Sequence, residues 1–131
     1  MIDEAQIFLT KAEESLAGAE SELANGRYNN VANRCYYACF QAAIVALLHA
    51  GITPDGPQWS HTFVQGQFVG QLINRRKLYP AELRQTPTRL YELRQTADYT
   101  IEPITQTQAT RAVRRARTFV AAIQAKGGER I

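Results

Sequence analysis

The amino-acid sequence predicts an all-α fold: one antiparallel up-and-down bundle of four to five helices, in a single domain spanning residues 1–131. Three observations carry that expectation. Apolar residues recur in steps of three and four along the first segment, and the segment after it is apolar almost all the way round. No stretch alternates apolar and polar residues as a half-buried strand would. A chain of this length suits one domain and can bury a core without disulfides or metals.

The first helix is expected from about Ile2 to Ala24, because Ala5, Leu9, Ala12, Leu16, Ala19 and Leu23 form one stripe. Asn25-Gly26 ends it, with glycine available for a left-handed cap. The second runs from about Tyr28 to Ala50, with Gly51 as its stop. Its apolar residues cover nearly the whole circumference, which fits a central helix or one in a subunit interface. Thr53 to Gln58 reads as a loop, and a third helix follows from about Ser60 to Arg76. Gly66 and Gly70 either weaken that helix or allow a close approach. Pro80 suits a first turn, and Pro87 predicts a kink or two short pieces. Thr105 and Gln108 have the spacing of a capping box for the last helix, which Gly127-Gly128 ends.

The N-terminus lacks the basic and apolar stretches of a signal peptide, and the apolar run Ala42 to Leu48 is too short to span a bilayer. Cys35 and Cys39 lie one helical turn apart, where a disulfide would be strained. Reduced core thiols in a cytoplasmic protein, with no membrane association, are therefore expected. No ligand spacing suggests a metal, and no glycine-rich phosphate loop suggests a cofactor.

Charge is uneven. Residues 1–24 hold six acidic residues and one lysine, although the chain's net charge is +3. Arg111, Arg114, Arg115 and Arg117 crowd the last helix, where they either pair with the acidic first helix or line an RNA-facing surface.

Arg34 is the one charged group within the second helix, and a guanidinium among apolar neighbours needs a partner. It is either structural or part of a site. Arg94 and Asp98 are spaced to share a helix face, with Tyr91 and Tyr99 nearby. That set is either an intrahelical ion pair or a phosphate-binding group. His61, at the start of the third helix, supplies an acid–base group near neutral pH.

Several stretches resemble the HEPN superfamily, in its branch of short stand-alone bacterial and archaeal proteins. Ala12-Glu13-Glu14-Ser15-Leu16 through Gly26-Arg27-Tyr28 is similar to the family's first helix and turn. Asn33-Arg34-Cys35-Tyr36-Tyr37-Ala38-Cys39-Phe40 resembles its SRxYYAxFH helix, and Leu90 to Tyr99 its LRxxADY motif. Ser60-His61 stands where members often have Thr-His or Ser-His. The resemblance implies a helical bundle, usually a homodimer. Many members act beside a minimal nucleotidyltransferase as a toxin–antitoxin pair, and many are metal-independent ribonucleases with an Arg-x(4–6)-His motif. In some pairs the partner adds AMP to a tyrosine, for which Tyr99 is the candidate here. Gln41 occupies the place where the branch often has histidine, and an amide does not exchange a proton near pH 7. The expected function is RNA or nucleotide binding with weak ribonuclease activity at Arg34, Arg94, Asp98 and Tyr99, with His61 as a further candidate. The alternative is a non-catalytic dimeric scaffold for the nucleotidyltransferase.

Overall fold

The computed structural model describes residues 2–129, and it is a helical bundle. Five α-helices follow in order among them: α1 (Glu4–Ala24), α2 (Tyr28–His49), α3 (His61–Gln67), α4 (Thr86–Tyr99) and α5 (Gln106–Glu129). A π-helical stretch, Phe68–Arg75, continues α3, and a 3-10 turn, Ala81–Leu83, precedes α4. Among the described residues there is no strand.

Local chemistry sets the helix ends. Asp3 accepts the amide of Gln6 at 3.1 Å and Ser60 accepts that of Phe63 at 3.1 Å, each meeting an orphan donor of a first turn. Thr105 and Gln108 close the expected capping box, with Gln108 N–H donating to Thr105 Oγ1 at 3.1 Å and Thr105 N–H to Gln108 Oε1 at 2.9 Å. Gly26 and Gly51 end α1 and α2 at φ of 73° and 77°, a backbone region that side chains with a Cβ disfavour. Pro87 opens α4 at its N-terminal turn instead of breaking a longer helix, so the segment forms the expected two pieces. The last helix runs on to Glu129, past the stop expected at Gly127-Gly128. Gly66 and Gly70 serve no close approach, since a Cβ at either would meet nothing within 4 Å.

Cross-helix contacts fix direction. Glu13 meets Gln124 and Glu20 meets Arg117, so α1 and α5 are antiparallel. Ser15 meets Gln41, and the Arg34 stem lies beside Gly18, so α1 and α2 are antiparallel too. Asn33 meets Asp98 while Tyr36 meets Tyr91, which makes α4 antiparallel to α2. The central element is α2, packed against α1, α3, α4 and α5. Twelve of its residues are buried, from Val31 to Leu47. Its length and composition would allow it to cross a membrane, but here other helices cover it. Fully buried small residues, Ala12 and Ala19 on α1 and Ala112 and Ala116 on α5, sit where those helices close on the core.

Large side chains fill the end of the core under the π-helical stretch. Phe68 packs on Phe119 with ring centroids 4.9 Å apart and on Tyr79 at 5.3 Å. Cys35 and Cys39 are buried free thiols, and burial pushes Cys35 up to about 12 and Cys39 higher still. Phe119 is fully buried, so Phe119→Ala leaves a cavity that its neighbours fill only in part. Urea unfolding should show a loss of about 3–5 kcal/mol at unchanged slope; a loss below about 1 kcal/mol would contradict this packing.

Candidate functional site

Asn33, Tyr36, Tyr37 and Phe40 recur at helical spacing and form the strip of α2 that faces α4. The same spacing on α4 sets Tyr91, Arg94 and Asp98 on one face. The Arg94 guanidinium lies over both tyrosine rings, 5.1 Å from the centroid of Tyr36 and 5.1 Å from that of Tyr37. Ring faces carry negative quadrupole density, which attracts a cation at this range. Asp98 Oδ2 stands 3.3 Å from Arg94 Nε, and Asn33 Nδ2 donates to the other Asp98 oxygen. Arg94 is thus held by charge contacts, and its buried Nε makes no hydrogen bond. Burial pushes the Tyr36 phenol up to about 12, and the facing Arg94 opposes that shift.

The third member of the group comes from α3. Capped by Ser60, that helix presents His61 at its first residue. The exposed imidazole stacks on Tyr91 with centroids 4.5 Å apart and an interplanar angle of 18°. Tyr91 meets Tyr36 edge-on at 5.7 Å and accepts a hydrogen bond from Gln95 Nε2. His61, Tyr91, Tyr36 and Arg94 therefore form one continuous row. Beside it opens a cleft of about 960 Å³, lined by His61, Gln65, Arg84, Arg89, Tyr91 and Glu92 among others. The buried Gln65 Nε2 makes no hydrogen bond there. An imidazole for proton transfer, a half-buried guanidinium with unused donors and a stacking surface suit a phosphate ester that carries a base.

Arg34 departs from its expected place. It is exposed, and its stem lies beside Gly18 of α1, so it is neither buried nor brought to Arg94. The reason is angular: residue 34 sits about a quarter turn around α2 from the strip that faces α4. Gln41 shares Arg34's side. With its amide nitrogen assigned to the side facing three oxygens, it donates to Ser15 Oγ at 2.8 Å, the Lys11 carbonyl at 3.0 Å and the Tyr37 carbonyl at 3.1 Å. Position 41 therefore lies on the side of α2 that faces α1. Tyr99 is 71% exposed at the end of α4, outside the row. Arg117 pairs with Glu20 as the charge pattern allowed, whereas Arg111 and Arg115 turn towards α4. Tyr91 stands beside Arg94 as its spacing predicts, whereas Asn33, Tyr36 and Tyr37, which the sequence does not mark as site residues, form the bed under the guanidinium.

Comparison with known proteins is consistent with this fold. A family model described as HEPN domain matches residues 5–126. The chain is 31% identical over 121 residues to "Putative toxin MJ0605" of Methanocaldococcus jannaschii, a match that covers 90% of this chain and 84% of that protein. Its fold is similar to that of TT1696 from Thermus thermophilus, with TM-score 0.73 over 95% of this chain and 99% of that one, at 18% identity.

The raised acids of this region fix a pH dependence. A group whose pKa is higher in the folded state stabilises the fold below its unfolded pKa and loses that contribution as pH rises to the folded value. The thiol and phenol start from ordinary values of 9.0 and 10.0 and rise to about 12, so stability should fall progressively from pH 9 to 12. In Tyr36→Phe the part of the decline above pH 10 should flatten. A melting temperature constant across this range would contradict the assigned burial.

Proposed function

The chain belongs to the HEPN domain family, and from that premise we propose that it is a toxin-type protein that binds RNA in the α3–α4 cleft and cleaves it weakly without a metal ion. The observation that carries this reading is the row of His61, Tyr91, Tyr36 and Arg94. His61, the candidate least supported by its sequence context, becomes the candidate base, and Arg34 and Gln41 drop out of the reaction.

The chemistry follows from what each group can do. The neutral imidazole of His61 takes the proton of an RNA 2′-hydroxyl. The 2′-oxygen attacks the adjacent phosphorus, the bond to the 5′-oxygen breaks, and the leaving oxygen takes a proton from the imidazolium or from water. The products are a 2′,3′-cyclic phosphate and a 5′-hydroxyl. Arg94 supplies donors to the non-bridging oxygens as charge builds on them. Asp98 neutralises part of Arg94's charge, which fits a slow enzyme. The stacked His61–Tyr91 pair gives a neighbouring base a surface.

In EDTA, the purified protein should cut single-stranded RNA, and Arg94→Ala and His61→Ala should each slow the reaction by about 100-fold, with the melting profile unchanged in His61→Ala, whose side chain is exposed. If the unmodified protein leaves RNA intact, or both variants cut at its rate, the reading fails.

A second observation favours a partner. Tyr37, Tyr99 and Ile101 are large apolar side chains left exposed, on α2 and at and beyond the end of α4. They suit a homodimer or a minimal nucleotidyltransferase, and a scaffold role without catalysis would use the same surface. The exposed Tyr99 hydroxyl is open to AMP transfer: its oxygen attacks the α-phosphorus of ATP, pyrophosphate leaves and the phenolic proton goes to solvent. Incubation with a minimal nucleotidyltransferase and ATP should add the mass of one AMP, and Tyr99→Phe should abolish the gain. A gain that persists in Tyr99→Phe would place the modification elsewhere.

A further inference from the structure

Arg89 lines three adjoining grooves, and the two beyond the His61–Tyr91 cleft are bordered by arginines of α5. One holds Arg111 and Arg115 and the other Arg114 and Arg115. Arg115 is half-buried between them. Burial first, then repulsion by Arg89 and Arg111, lowers its proton affinity. Like charges gathered at this spacing disfavour the fold unless a counter-charge is present. Among the described residues the ion pairs are Arg27–Glu22, Arg94–Asp98 and Arg117–Glu20, and none of them involves these guanidiniums. Glu82 and Glu92 border the grooves without pairing to an arginine there. Arg89 is held in place by a neutral group, with Nε and Nη2 donating to Gln85 Oε1 at 3.0 and 2.7 Å. Arg84, on the near rim, is held the same way by Asn74 Oδ1 at 3.1 and 2.8 Å. Side-chain amides thus fix two of the guanidiniums without cancelling their charge.

We propose that Arg89, Arg111 and Arg115 form a second anion-binding surface, a track that holds the sugar-phosphate backbone of single-stranded RNA running out of the His61–Tyr91 cleft. The RNA partner rests on the function proposed above, while the track itself rests on the unpaired arginines. Several guanidiniums in successive grooves that share Arg89 match a polyanion better than a single phosphate. Contacts of this kind carry no base preference, so the track sets affinity and the reach of the substrate and leaves sequence choice to the cleft.

The test uses the full chain and a labelled oligo(U) of about 12 nucleotides, followed by fluorescence anisotropy across a KCl series. Arg111→Gln/Arg115→Gln should weaken binding about tenfold or more, and should flatten the slope of log K against log salt by about 1.4, two phosphate contacts' worth for a single strand. Arg117→Gln, on the same helix but paired with Glu20, should leave both unchanged. Cleavage of a dinucleotide, too short to reach the track, should be the same in the double variant as in the unmodified protein. An unchanged affinity and slope in the double variant overturns the proposal. So does unmodified protein that fails to bind at low salt, or a double variant that loses only binding to anionic vesicles. If the protein binds with the expected slope change but cuts neither substrate, the track stands and the cleavage reading falls.

Discussion

The structure turns on the need to cover α2. A helix that is apolar on nearly every side cannot face water, and α1, α3, α4 and α5 each bury part of it. What remains is the strip of Asn33, Tyr36, Tyr37 and Phe40, in which Tyr36 is buried and Tyr37 exposed. The α4 helix meets that strip with Arg94 and Asp98. The guanidinium is thereby held at the surface of the core, gripped by ring faces and one carboxylate, with most of its donors unspent. The buried Tyr36 is part of the core and, with the exposed Tyr37, also holds the cation.

The row from His61 to Arg94 depends on a second constraint, the entry angle of α3. Ser60 starts that helix at one residue, which fixes His61 on its first turn above Tyr91. The chain then widens into the π-helical stretch, at whose end Arg76 N–H donates to the Gln71 carbonyl five residues back at 2.8 Å. That stretch sends Phe68 and Leu72 into the core and leaves Val69 on the cleft wall beside Gly66 of α3. Phe68 is locked against Phe119 and Tyr79, so the wall of the cleft is tied to the core through aromatic contacts.

Much of the fold was legible because its signals are local. Thr105 and Gln108, Gly26, Gly51 and Pro87 each act within a few residues, and each marks an element boundary in the structure. The site was legible only in part. Arg94 with Asp98 could be read from spacing along one helix, and it holds. The two motifs of the resemblance pair Arg34 with Arg94, yet which side of α2 Arg34 occupies depends on where α4 docks. Being one residue from Asn33 on the chain puts it about a quarter turn away in space. The same angle removes Gln41 from the site. His61 meeting Tyr91 needs the α2–α3 loop to bring distant segments together, and no local pattern encodes that. The contrast between Arg117, paired with Glu20, and Arg115, left among cations, likewise arises from which neighbour each faces.

On the proposed reading, a phosphate reacts between the guanidinium of Arg94 on α4 and the imidazole of His61 on α3, the two ends of the row. The most direct measurement is the structure of the protein with a dinucleotide whose attacking 2′-hydroxyl has been removed. The scissile phosphate should lie within hydrogen-bond distance of Arg94, with the sugar 2′-carbon turned to His61 and one base stacked along the His61–Tyr91 pair. A phosphate held beside Arg34 or Gln41, or a dinucleotide bound with Arg94 and His61 both untouched, would contradict the proposed reading.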